Sequence, residues 1–151
     1  MIRNLINNSF VGIPAEYKAK EEMIRGTFVT VDYKKGEVAK ATTLGDTVKF
    51  VVRDVKVTTD VANGLPVDDY SKEQDTIEVG EYVGVRTAQS GEEFKTTAFD
   101  TTLGDTDVEA GKYLTVKNGV LAKPSDTSAT KIVSLGWNTE ENVKTLAFTI
   151  A

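Results

Sequence analysis

The chain has 151 residues, a formal net charge of −5, no cysteine and no histidine. That composition excludes disulfide frameworks, zinc–thiolate sites, thiol nucleophiles and every mechanism that uses histidine as base or metal ligand. The negative balance opposes attraction to a phosphate backbone, and no stretch reaches the length of a bilayer span, so neither nucleic acid nor membrane is an expected partner.

Residues 1–25 read as an extended N-terminal arm and residues 26–151 as a β-barrel or sandwich domain. The arm sets Ile2, Leu5, Ile6, Phe10, Val11 and Ile13 among asparagines. The segment reads either as an ordinary N-terminal strand or tail or, because solvated tails rarely carry so many apolar residues, as an arm that packs on a partner. It lacks the continuous apolar core of a signal peptide, which points to synthesis in the cytoplasm. Pro14 suits a first helical turn, and Ala15, Ala19 and Met23 recur at four-residue spacing, so the one short helix is predicted here.

Beyond residue 26 the pattern is strand and turn. Residues 27–33 are rich in β-branched and aromatic side chains, and Lys34-Lys35-Gly36 turns the chain into residues 37–41, a predicted hairpin. Residues 47–57 form the longest predicted strand. Val48, Phe50 and Val52 share one face while Val55 and Val57 share the other, the signature of a bulge or of a strand shared between two partners. Asn63-Gly64-Leu65-Pro66 reads as a turn. Further strands are expected at residues 82–86, 93–99, 113–117, 120–122, 131–137 and 143–150. Asn118-Gly119 between two apolar runs is a strong hairpin signal, since both residues tolerate positive φ. Leu146, Phe148 and Ile150 alternate with Thr145, Ala147 and Thr149, giving one apolar face and one small polar face. The expected fold is all-β: a small barrel or sandwich of about eight to ten short antiparallel strands.

Two weak internal echoes occur. Thr-Thr-Leu-Gly-Asp-Thr stands at both 42–47 and 101–106, and residues 77–83 resemble residues 108–114. The two spacings differ, so reuse of one turn chemistry is the simpler reading than tandem duplication.

Acidic side chains are the sole candidates for chemistry. Asp105, Asp107 and Glu109, with Asp100 nearby, could offer oxygens to a cation, but the calcium-loop spacing is absent and a solvated acidic loop is expected. The pairs Asp68-Asp69, Glu92-Glu93 and Glu140-Glu141 point to opposite faces of any strand and read as exposed charge. No phosphate loop or nucleophile elbow occurs, and no cofactor is expected. Trp137 reads as a core residue or an interface anchor.

Three segments carry a family resemblance. They are Ile24-Arg25-Gly26-Thr27-Phe28-Val29-Thr30-Val31-Asp32, then Gly36-Glu37-Val38-Ala39-Lys40-Ala41, and Val108-Glu109-Ala110-Gly111-Lys112-Tyr113-Leu114-Thr115-Val116-Lys117-Asn118-Gly119-Val120-Leu121, with residues 93–100 in the same style. Over roughly residues 24–137 the chain resembles the capsid decoration, or cement, proteins of tailed bacteriophages. The resemblance implies a structural virion protein on the capsid exterior, often a homo-trimer, that clamps neighbouring major capsid subunits. It also implies a terminal arm that pairs with capsid strands, here assigned to residues 1–14. Alternatives are a self-assembling tail, head-fibre or surface-layer subunit, a carbohydrate-binding β module, and an enzyme built on carboxylates or lysine.

Overall fold

The computed structural model describes residues 2–4, 15–52, 76–125, 130–140 and 142–151. Among them the chain forms thirteen strands and one short 3-10 turn at Asp105–Asp107. The all-β expectation holds, in its sandwich form: the sheets are open and do not close into a barrel.

The first sheet has six strands. In spatial order they are β1 (Ile2–Asn4), β9 (Glu93–Thr96), β13 (Val143–Ile150), β12 (Ile132–Glu140), β10 (Tyr113–Lys117) and β11 (Val120–Ala122). The second has five: β4 (Val29–Asp32), β5 (Glu37–Lys40), β2 (Ala15–Ala19), β8 (Tyr82–Thr87) and β6 (Lys49–Val52). A two-stranded ribbon joins β3 (Met23–Ile24) to β7 (Thr76–Ile77). Pairing is antiparallel except between β2 and β5, which run parallel, a departure from the expected wholly antiparallel fold.

The predicted hairpins form. Asp32 accepts hydrogen bonds from the N–H groups of Lys34 (3.0 Å) and Lys35 (3.2 Å), tightening the β4–β5 turn. Asn118 and Gly119 turn β10 into β11 with φ of 50° and 79°. A bulge between Ser134 and Gly136 lets β12 run on to Glu140, past the expected end at Trp137. The predicted change of face after residue 52 and the turn at residues 63–66 lie outside the described residues.

The helix expected after Pro14 is replaced by strand. Ala15-Glu16-Tyr17-Lys18-Ala19 alternates apolar with charged residues, so it carries the two-residue period as well as the four-residue spacing. A single short helix is marginal in water, whereas β2 gains hydrogen-bonded neighbours on both sides, antiparallel β8 and parallel β5. Residues 15–24 thus hold two strands, β2 paired with β5 and β8 and β3 paired with β7.

Two cores result. The larger lies between the sheets, around a ring of four buried phenylalanines. Phe28 and Phe50 come from the five-stranded side, Phe94 and Phe148 from the six-stranded side. Their centroids are 6.2 Å apart for Phe28–Phe50, 5.1 Å for Phe50–Phe94, 5.6 Å for Phe94–Phe148 and 5.8 Å for Phe148–Phe28. Each such pair adds about 0.5–1.5 kcal/mol to the burial of its rings. The smaller core is aliphatic: Ala19, Met23, Val29, Val38, Val51, Ile77, Val83 and Val85. Neighbouring residues serve both cores. Phe28 and Phe50 enter the larger, while Val29 and Val51 point the other way into the smaller.

The small polar face of β13 is also covered. Thr145 and Ala147 are buried, and Lys95 spans the same side to reach Glu140 at 2.5 Å.

Candidate functional site

The segments that carry the family resemblance meet at one place. Phe28 donates its N–H to the Gly119 carbonyl at 2.9 Å, Gly119 donates to Ala41 at 2.8 Å, and Ala41 donates back to Phe28 at 2.9 Å. This closed ring of backbone hydrogen bonds seats the tip of the β10–β11 hairpin against the five-stranded sheet. Gly119 fits for two separate reasons. Its φ of 79° disfavours a side chain, and an added Cβ would lie 2.7 Å from Thr27 Cγ2 and 3.1 Å from Lys40 Cγ. A cleft of about 190 Å³ opens beside this joint, floored by Phe28, Ala41 and Val116 and walled by β4 and residues 43–49.

A second joint is ionic. Arg86 of β8 pairs with Glu92, which lies in the connection to β9, and the guanidinium rests 5.3 Å from the centre of the Phe94 ring. The other Glu92 oxygen accepts the Gln89 N–H at 2.9 Å, and its backbone carbonyl accepts the Thr149 hydroxyl at 3.1 Å. Glu92 is 2% exposed, which corrects the expectation that Glu92-Glu93 is plain surface charge. The alternation of a strand already held the signal: if Glu93 faces out, its neighbour faces in. Glu140, read likewise as exposed, is mostly buried in its pair with Lys95.

Trp137 is half-buried against the larger core, and the protein's own groups occupy it. Its Nε1–H donates to Asp105 Oδ1 at 2.9 Å, Phe99 meets it edge-on at 5.0 Å, and the Lys144 ammonium lies 3.7 Å over its ring. A sugar-stacking platform needs an open aromatic face, and Lys144 covers one here.

The acidic residues of 100–109 diverge. Asp100 accepts the backbone and hydroxyl hydrogens of Thr102, Asp105 holds Trp137, and Asp107 holds the Gly104 N–H and the Lys123 ammonium. Among the described residues no three acidic side chains gather into a cation cage. Hydrogen bonds from Thr102, first from its backbone and then from its hydroxyl, hold Asp100 below the usual carboxylate range. The Lys123 hydrogen bond, followed by that of Gly104, does the same for Asp107. Both carboxyls are therefore charged near neutral pH. Proton exchange with a substrate would ask for the opposite shift.

Of the expected contact residues, Ile2 lies on β1 at the outer edge of the six-stranded sheet, where its backbone pairs with Thr96. Leu5, Ile6, Phe10, Val11 and Ile13 lie outside the described residues. The described residues thus hold two internal joints, a clothed tryptophan and a sheet edge that carries Ile2. Compared with known proteins, the chain matches no protein-family model, no curated protein and no solved structure.

Proposed function

We propose that this protein is a structural component of a phage virion that binds the outer surface of the capsid and holds neighbouring major capsid subunits together. One observation carries the reading. Two of the segments that resemble the decoration proteins form the β4–β5 hairpin, and the third brings the distant β10–β11 tip onto it in the ring formed by Phe28, Ala41 and Gly119. Two further features agree with a clamp. The body is braced by two cores, which suits a part that transmits load without deforming. Ile2 stands on a strand at an open sheet edge, a place where a partner's strand can add by backbone pairing. Binding works by burying surface on subunits that would otherwise separate, and many copies multiply a modest affinity.

The test mixes the purified protein with expanded, DNA-free cognate heads and follows co-sedimentation and the heads' melting temperature. Saturable binding with a raised melting temperature is expected; failure to co-sediment overturns the proposal. Size-exclusion chromatography of the free protein distinguishes the nearest alternative, since a tail or lattice subunit would form rings or fibres unaided.

A further inference from the structure

The hexapeptide Thr-Thr-Leu-Gly-Asp-Thr occupies residues 42–47 and 101–106. In both copies the leucine alone turns inward, Leu103 into the larger core and Leu44 against it. The other five positions are exposed in both. The backbone does not demand glycine in either copy. Neither glycine has positive φ; a Cβ on Gly45 would meet nothing within 4 Å, and one on Gly104 only Asp107 Oδ2 at 3.5 Å. The internal supports also differ. Lys131 donates to the Asp46 backbone carbonyl at 2.6 Å, whereas Trp137 donates to the Asp105 carboxylate. Thr102 is tied to Asp100, at whose place the first copy has Ala41. Two differently supported loops thus expose the same five positions, although in the second copy Thr102 and Asp105 also bond to Asp100 and Trp137.

Position adds to the argument. Lys131 immediately precedes β12 and Trp137 lies within it, so the anchor points are about 20 Å apart along one strand. Each hexapeptide borders a hollow. Residues 43–47 wall the cleft of about 190 Å³, and Thr106 borders another of about 400 Å³ with Lys112, Tyr113 and Lys123.

We propose that the two hexapeptides are equivalent docking loops that engage the same feature on two copies of one partner subunit. This rests on the capsid reading above. Neighbouring subunits of a symmetric shell offer the same surface repeatedly, and a clamp that meets each copy the same way needs its contact twice. Exposed hydroxyls with one aspartate per loop, on a chain of charge −5, suit a patch of N–H donors and basic side chains. Joining two weak contacts raises apparent affinity by about 10²–10⁴-fold.

The experiment places arginine at the same exposed position of each loop, Thr47→Arg and Thr106→Arg, singly and together, and measures binding to expanded cognate heads by sedimentation. Each single variant is expected to lose roughly 100-fold in apparent affinity, by a similar factor for either loop, and the double variant to lose saturable binding. Wild-type binding by either single variant, or a loss confined to one loop, overturns the inference and leaves the capsid reading standing. Failure of the unmodified protein to bind overturns both. Thr42→Lys and Thr101→Lys form a second pair, used if either arginine lowers the protein's own melting temperature.

Discussion

The two cores use opposite strategies. The larger joins separate sheets by setting four rings, Phe28, Phe50, Phe94 and Phe148, each touching two of the others, among ten aliphatic side chains. The smaller has no buried ring and packs eight aliphatic residues between one sheet and a two-stranded ribbon. The rings come from both sides of the larger core, so they help set how the sheets sit. The aliphatic core sets how one sheet curls. Because adjacent residues of two strands feed both cores, neither is expected to melt alone.

Changes at single residues probe that contrast. Phe148→Ala removes one ring from the four and should cost about 3–5 kcal/mol, measured by urea unfolding. A loss below about 1 kcal/mol would mean the ring is not the keystone of the sheet packing. Glu92→Ala strands the Arg86 guanidinium beside the Phe94 ring and should cost about 3 kcal/mol, while replacing both Glu92 and Arg86 by apolar residues of similar size should recover most of it. Gly119→Ala should cost about 1–3 kcal/mol from its positive φ and the close approach of Thr27. Unfolding followed by Trp137 fluorescence, which senses the larger core, should still coincide with that followed at the methyl groups of Ile77 and Val83. Separated transitions would show that the hairpin tip, and not the shared residues, couples the cores. Ile77→Val trims the aliphatic core by one methylene and should cost about 0.5–1.5 kcal/mol.

The smallest effect concerns acid. Asp107 titrates below its ordinary value of 3.8 because Lys123 and Gly104 donate to its charged form. Its contribution is therefore present above the unfolded value and lost as pH falls through the lower folded one. Asp107→Asn should lower the urea midpoint slightly at pH 6, with the two proteins converging near pH 2. A gap that persists at pH 2 would place its role outside electrostatics.

Much of this could be read in the chain, for identifiable reasons. The alternation of Leu146, Phe148 and Ile150 and the Asn118-Gly119 pair are local signals that fix strand, face and turn. Ala15 to Ala19 misled because its apolar spacing satisfies both helix and strand, and strands far away in sequence decide between them. The burial of Glu92 was half-legible: alternation demands that one of the two glutamates face inward, but its partner Arg86 is visible only once β8 and its connection are folded. The hydrogen-bonded ring of Phe28, Ala41 and Gly119 was illegible, since nothing local says which loop a hairpin tip will meet. Trp137 was expected as core or anchor, and its clothing needed both the remote residues 99–105 and Lys144 of the adjoining β12–β13 hairpin.

The order of pairing has a consequence for synthesis. Ile2 pairs with Thr96, Ala15 with Val85, and β9 lies against β13 at the far end of the chain. β1 finds its partner, and β2 its second one, only after residues 82–96 have been made, and the six-stranded sheet waits for β13. Contacts so distant in sequence make folding slow and leave early strand edges open to other chains. Until those pairings close, the unfinished edges are where two partly made chains would join.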